Sequence, residues 1–249
     1  GRFASFLEKP FRKLAAPRMA GFLTAVAVSG PTALIAGTLL YAAAAIHPLA
    51  GDMVAVLLLY TTFAAKDLAD HSGRVLSALR KGNLEEARSG VSRIVGRETA
   101  HLDERGVTRA TVESVAENTV DGIIAPIFFA SLAGPIGALV YKAINTLDST
   151  FGYKNERYIK FGWASARIDD LANYFPARLA VPLIAAAAAV TGMKAKDAFR
   201  IAVRDGRNHP SPNSGWSEAA FAGAIGVRLG GPVIRKGKPE EMPFLGEAT

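Results

Sequence analysis

At 249 residues, half of them apolar and only 20% charged, the chain is less polar than an ordinary soluble domain, and its balance points to a membrane. It has no cysteine, which excludes a disulfide framework, a thiolate zinc site and a cysteine nucleophile. The net charge of +7 is small for a nucleic-acid binder and suits cytoplasmic loops facing anionic lipid, so no nucleic-acid partner is expected.

The sequence begins at Gly1 without a methionine, as a fragment or processed product would. Residues 1–18 (GRFASFLEKPFRKLAAPR) set Phe3, Phe6, Leu7, Phe11 and Leu14 among five Lys/Arg and one Glu, a basic amphipathic arm suited to a headgroup surface. A signal peptide is disfavoured, because the apolar part that follows is too long and no small-residue cleavage site stands out. Residues 19–46 carry no charge in 28 positions. A hydrocarbon core about 30 Å thick takes about 20 helical residues, so this segment is predicted to span, with a kink at Gly30 and Pro31. His47-Pro48 breaks the helix, and residues 53–65 (MVAVLLLYTTFAA), lengthened by Leu49–Asp52, lead back. Residues 19–65 thus read as a transmembrane hairpin. The arm before it is basic, its turn has no Lys or Arg, and the stretch after residue 65 carries nine, so both ends are predicted to be cytoplasmic.

Residues 66–121 read as cytoplasmic helices. Asn83 and Glu86 have the spacing of an N-cap and its box partner ahead of a helix through about Val95. Gly106 followed by Thr108 resembles a stop and a new start. In TRATVESVAENTV, Glu113, Glu117 and Asp121 fall at i, i+4 and i+8 on one face, with Asn118 beside them. Like charges at that spacing repel, so a cationic partner is expected. A merely solvated face is the bland alternative, and it weakens because the helix runs straight into GIIAPIFF.

Residues 122–249 read as re-entrant or buried helices with polar loops. GIIAPIFFASLAGPIGALV contains Pro126, Gly134, Pro135 and Gly137, and the later LAVPLIAAAAAVTG is short and holds Pro182. Broken or short apolar helices re-enter or lie buried in protein rather than span. The first is therefore predicted to be a helical hairpin turning near Gly134-Pro135, which keeps the polar clusters on one cytoplasmic side. The expected architecture is all-α: a polytopic integral membrane protein with transmembrane and re-entrant helices, a cytoplasmic-face helical region, and a single membrane-embedded domain over 1–249.

Between those two apolar segments runs a stretch that no apolar core requires. Tyr141 to Arg178 holds six Lys/Arg, four Asp/Glu, three Asn and four Tyr. It contributes Lys142, Asn145 and Asp148, then Tyr153, Lys154, Arg157, Arg167, Asp169, Asp170, Asn173 and Arg178. A last cluster, RDGRNHPSPNSGWSEAAFAG, contains His209, Ser211, Asn213, Ser214, Trp216 and Glu218. Acidic groups with Asn suit hard cations such as Mg²⁺, and Lys and Arg beside them suit phosphate. Together these are the kit of phosphoryl transfer. SPNSG is either an ordinary turn or a turn presenting backbone N–H groups to an anion. Neither GxxxxGK[ST] nor a strand–GxGxxG–helix unit occurs. His47 and His71 stand alone and read as structural.

Taken together, VESVAENTVDGIIAPIFF, YKAINTLDSTFGYKNERYIKFGWASARIDDLANYFPARL and HPSPNSGWSEAAFAGAIGVRLGGP resemble the cobalamin-biosynthesis family of adenosylcobinamide-phosphate synthases, the CbiB/CobD type. The resemblance also takes in LRKGNLEEARSGVSRIVGRET and so covers nearly the whole chain. It implies a multi-pass protein of the prokaryotic inner membrane with its active site facing the cytoplasm. It further implies an ATP-dependent, Mg²⁺-requiring ligase that joins aminopropanol, or its phosphate, to adenosylcobyric acid through an acyl phosphate. Membrane lipid and other cobalamin-assembly membrane enzymes are the expected partners.

On that resemblance Asp148, Arg167 and Glu218 are assigned to the catalytic step. Asn145, Lys154, Arg157, Arg178, Ser211, Asn213 and Trp216 are assigned to substrate and phosphate. Glu117, Asp121, Asp169 and Asp170, with Asp148, are assigned to the metal. The family's usual extra apolar segment at the start, and a longer tail after Leu245-Gly246, would add site residues beyond this sequence. A transporter, which would place ionisable groups inside its spans, and a non-catalytic scaffold for a corrinoid enzyme are the rival readings.

Overall fold

Long uncharged stretches of Ala, Leu, Val and Gly can satisfy their backbone in lipid only as helix, and helix dominates the structure. It is a computed structural model that describes residues 1–153, 155–235 and 237–248. In chain order come α1 (Arg2–Leu14), α2 (Pro17–Ile46), α3 (Pro48–Tyr60), α4 (Ala65–Arg80), α5 (Leu84–Val91) and α6 (Glu104–Thr119). A π turn, Val120–Ile124, leads into α7 (Ala125–Phe151), followed by α8 (Trp163–Ala172), α9 (Tyr174–Val190), α10 (Ala195–Asp205) and α11 (Ser214–Ile225). A small antiparallel ribbon, β1 (Val233–Arg235) and β2 (Lys238–Glu240), pairs Ile234 with Pro239. Three helical runs, Pro17–Ile46, Pro48–Arg80 and Glu104–Phe151, are long and apolar enough to cross a membrane. The protein is all-α and polytopic.

The contacts gather into two compact units, Gly1–Phe63 with Ala125–Asn173, and Ala64–Ile124 with Tyr174–Thr249. In the first unit, α2 and α3 form the expected hairpin. Pro48 opens α3, and His47 Nδ1 accepts from the Leu49 N–H at 3.2 Å, so Leu49–Asp52 belong to the returning helix. A Cβ on Gly51 would lie 2.9 Å from that of Ala44, so glycine there lets the two helices meet closely. Leu34, Tyr41 and Ile46 are 71%, 79% and 83% exposed. Large apolar side chains this exposed require lipid around them. The Thr24, Thr32 and Thr38 hydroxyls donate one turn back to the carbonyls of Ala20, Val28 and Leu34. α2 continues as helix through Gly30 and Pro31.

α7 carries the break predicted for it. Ala133 (φ −142°, ψ 26°) and Gly134 (φ 58°, ψ −152°) leave the helix, the second in a region open only to glycine. The chain then doubles back. A Cβ on Gly137 would lie 2.3 Å from the Phe129 carbonyl oxygen, and the Phe129 and Tyr141 rings stack at 5.1 Å. In a straight helix twelve residues span about 18 Å. The run through α7 is therefore a hairpin and not one long span, with its turn at Ala133-Gly134. The apolar arm before the turn, residues 122–132, rises only about 16 Å, half of what a crossing needs.

In the second unit α4, α5 and α6 pack around Val75, Ala78, Ala87, Val91, Val107 and Ala110. Asn83 caps α5 as predicted: its Oδ1 accepts from the Glu86 N–H at 3.0 Å, and its Nδ2 donates to Glu86 Oε2 at 3.0 Å. The helix stops at Val91 rather than near Val95, because Ile94 N–H turns back to the Val91 carbonyl. α6 starts earlier than predicted, at Glu104, because Asp103 Oδ1 caps it through the Gly106 N–H at 2.7 Å. The π turn widens the helix so that the Gly122 carbonyl accepts from the Ala64 N–H at 2.9 Å. Val120 and Ile124 then pack on Ala177, Ala180, Val181 and Ile184 of α9, and on Ala202 and Ala220. These small residues let α9, α10 and α11 approach closely.

Candidate functional site

The polar residues of the 141–178 run are assembled by two helices of the first unit. α7 carries Tyr141, Asn145 and Asp148 at i, i+4 and i+7, so all three share a face. Asp169, at the end of α8, and Asn173, its C-cap, lie one turn apart. Tyr141, Asn145, Asp169 and Asn173 are all buried. Tyr141 Oη donates to Asn173 Oδ1 at 2.9 Å, and Asn173 Nδ2 donates to Asp169 Oδ2 at 3.1 Å. Asn145 Nδ2 stands 3.5 Å from Asp169 Oδ1. Both Asp169 oxygens are thus held by amides, and the tyrosine fixes which way the Asn173 amide faces. Asp148, half-buried, lies close enough for its charge to act on Asp169. Its carboxylate occupies space that any side chain at residue 152 would take, since a Cβ on Gly152 would fall 2.0 Å from Asp148 Oδ1.

The neighbouring assignments divide. Asp170 turns toward exposed Arg167, whose Nη1 is 3.4 Å from its Oδ2. Arg157 does not present a free fork for phosphate. Its guanidinium donates to Glu8 Oε1 and Oε2 at 3.0–3.2 Å, and Arg12 Nε donates to Glu8 Oε1 at 2.9 Å. The bond to Glu8 pushes Arg157 further up from its already high pKa. Arg157 thereby clasps the amphipathic arm. Nothing in the local pattern around either residue announces this pairing. Lys154 lies outside the described residues.

In the second unit the expected cation opposite the acidic face exists: Arg97 pairs with Glu113. Glu113 also accepts from the Gly230 N–H at 2.7 Å, so this carboxylate is committed to structure. Glu117, exposed, accepts from Ser214 Oγ at 3.0 Å, and Asp121 sits half-buried in the π turn. In SPNSG the N–H groups of Asn213 and Ser214 point at Ser211 Oγ, at 3.3 and 3.2 Å, so the turn spends these donors on itself rather than on an anion. His209 Nδ1 accepts from the Ser211 N–H at 3.0 Å. That leaves the imidazole proton on Nε2, 3.7 Å from Oε1 of buried Glu218.

Beside this turn lies an open cavity of about 530 Å³ lined by Tyr174, Arg178, Arg207, Pro212 and Trp216. The Arg178 guanidinium stacks 3.6 Å from the Tyr174 ring centre and lies 5.1 Å from that of Trp216, and Arg207 lies 5.8 Å from the Trp216 ring centre. Arg178 also donates to Asn213 Oδ1 at 3.1 Å and to the Tyr174 carbonyl at 2.7 Å. Among the described residues neither arginine pairs with a carboxylate, and no acidic side chain lines the cavity. Two uncompensated guanidiniums against an indole form a seat for a flat or phosphorylated anion. Sequence reasoning found Arg178 and Trp216 but missed Arg207 and Tyr174. Arg207 stands two residues before His209 in RDGRNHP, where its charge was the available signal.

Among the described residues, no group of three or more His, Cys, Asp or Glu side chains is arranged to hold a metal ion. The carboxylate donors present are the pair Asp148 and Asp169, and Glu117 with Asp121. Such sets suit a hard cation that takes the rest of its shell from phosphates and water, as Mg²⁺ does, rather than one caged by protein.

A family model described as "CobD/Cbib protein" matches residues 1–249. Cobalamin biosynthesis protein CobD of Geobacter metallireducens is 52% identical over 248 residues, covering 99% of this chain and 78% of the relative. CobD of Pelobacter propionicus is 47% identical, over 99% and 77% of the two chains. Cobalamin biosynthesis protein CbiB of Salmonella typhimurium is 46% identical, over 100% and 79%. No solved structure matches. A match along the whole chain and identities near one half place the chain in the CobD/CbiB family of cobalamin-biosynthesis proteins.

Proposed function

We propose that the chain is an ATP-dependent amide ligase of the prokaryotic inner membrane, joining aminopropanol or its phosphate to adenosylcobyric acid on the cytoplasmic face. Family membership supports the pathway. The observation that carries the chemistry is the cavity of Tyr174, Arg178, Arg207, Pro212 and Trp216, cationic and without a carboxylate. Guanidinium forks suit phosphate oxygens, and the indole suits a planar ring. Asp169, held by Asn145 and Asn173, would be the carboxylate for Mg²⁺, which when bound neutralises charge on phosphate oxygens.

The reaction balances in two steps. A carboxylate oxygen of the acid substrate attacks the γ-phosphorus, forming an O–P bond as the bond to ADP breaks. The amine nitrogen then attacks the acyl carbon, forming C–N as C–O breaks, with phosphate leaving. One proton must leave the nitrogen, and Asp148, a half-buried carboxylate, is the group offered to take it. Asn145 and Asn173 hold Asp169 in place while Asp148 acts. Within the second unit, Arg178 and Arg207 offer guanidinium groups suited to the oxygens of a phosphorylated substrate. Other cobalamin-assembly membrane enzymes are the natural neighbours for such a protein.

The test is direct: purified protein, cobyric acid, aminopropanol or its phosphate, ATP and Mg²⁺, with amide product and ADP measured together. Stoichiometric amide and ADP support the reading. Absence of both from folded protein, with either amine and with Mg²⁺ or Mn²⁺, refutes it.

A further inference from the structure

We propose that α1 is a two-faced interfacial helix whose outer face docks on an anionic phospholipid surface. Its inner face is settled. Ala4, Glu8 and Phe11, at i, i+4 and i+7, turn into the first unit, where Ala4 and Phe11 join Ala20, Leu147, Phe151 and Phe161. Glu8 is buried there and clasped by Arg12 and Arg157, while the Arg12 guanidinium stacks 4.3 Å from the Phe161 ring centre.

The outer face is apolar as well. Phe3, Phe6 and Leu14 are 56%, 73% and 76% exposed, and with exposed Pro10 they form a continuous stripe. Alongside it Arg2, Lys9 and Lys13, at i, i+7 and i+11, form an exposed basic row. None of the three pairs with a carboxylate among the described residues. The only acid of residues 1–18, Glu8, is consumed on the opposite face, so the basic row is uncompensated.

Chain continuity selects the occupant. α1 ends at Leu14, and the α2 span begins at Pro17. Two linking residues hold the Leu14 end of the stripe within about 10 Å of Pro17, where the span begins. An apolar stripe bordered by cations at that depth matches the boundary between acyl chains and anionic headgroups. A soluble protein partner or a second copy of this chain would have to displace lipid to reach it.

Residues 1–249 contain no cysteine, so Phe6→Cys carrying a bimane label gives a unique probe in this chain and restores apolar bulk. The full chain is placed in nanodiscs of mixed phosphatidylcholine and phosphatidylglycerol, with one lipid or the other brominated. We expect quenching by both lipids, stronger by about three-fold or more from the glycerol lipid at equal mole fraction, since each basic residue near an anionic surface gains about five-fold. Arg2→Gln, Lys9→Gln and Lys13→Gln together should equalise the two lipids without changing helicity or elution volume. Equal quenching in the parent protein overturns the anionic preference. No quenching by either lipid overturns lipid docking and assigns the stripe to a protein partner.

Discussion

Replacing Gly137 by alanine tests the fold-back that separates a re-entrant hairpin from a straight span. The new methyl group would start 2.3 Å from the Phe129 carbonyl oxygen and 2.9 Å from the Ala133 Cβ, where ordinary contact begins near 3.4 Å. The obstacle is backbone, so the two arms must part by about 1 Å, and overpacking of this kind costs about 1–3 kcal/mol. Parting the arms also loosens the stacked Phe129 and Tyr141 rings, adding about 0.5–1.5 kcal/mol. A total of about 1.5–4.5 kcal/mol corresponds to roughly 3–18 °C for a chain of this size. Gly30→Ala is the control: nothing lies within 4 Å of its Cβ position, so it should be neutral or slightly stabilising. The assay is thermal unfolding of both variants in nanodiscs, followed by ligation at a permissive temperature. Tyr141 also orients Asn173 toward Asp169, so ligation should fall in Gly137→Ala beyond what its folded fraction explains. A Gly137→Ala protein as stable as its parent would refute the close approach of the two arms, and with it the re-entrant reading.

Asp148→Ala should abolish amide formation while leaving folded protein in membranes, because it removes one of two neighbouring carboxylates; ligation at parental rates would remove Asp148 from the mechanism. Arg207→Ala, which breaks no ion pair or hydrogen bond among the described residues, should raise the KM for the phosphorylated substrate about ten-fold with Tm unchanged. Glu8→Gln should weaken the hold on α1 by about 1.5–3 kcal/mol, the value of hydrogen bonds to a charged group, and open the bond after Arg12 to trypsin. Asp205 tests the other end of the chain. Hydrogen bonds from Arg204, and from the Gly246 N–H, hold its carboxyl below the usual value. A depressed folded pKa stabilises above the unfolded value of about 3.9, and that stabilisation is lost as pH falls through the folded one. Asp205→Asn should therefore lower Tm at pH 7, and the gap to the parent should close below about pH 4.

Much of the architecture was legible in the order of residues because its causes are local. An uncharged run of 28 residues has no solution in water and one in lipid. Asn83 and Glu86 cap a helix start at any position that carries their spacing. Gly134-Pro135 marks a break because a proline ring and a left-handed backbone both end a helix. Local signals also misled or stayed open: Gly106 looked like a stop, yet sits inside a first turn capped by Asp103, and SPNSG read equally as an ordinary turn or an anion cradle until its own Ser211 was found to take the donors.

Partner choice was not legible, because it depends on which helix faces meet. Glu113, Glu117 and Asp121 look alike in sequence, but packing gives Glu113 to Arg97 and Gly230 and leaves Glu117 on the surface with Ser214. Arg157 reads as a phosphate ligand until Glu8, 149 residues earlier, is found against it. Asp148 and Asp169 become a pair only because α8 packs on the second arm of α7. Composition and hydropathy thus determined that this chain lives in a membrane as helices with polar chemistry between them. Tertiary packing decided which charges were spent on holding the helices and which remained for a substrate, since a charge leaving water needs a counterpart that only the fold can supply.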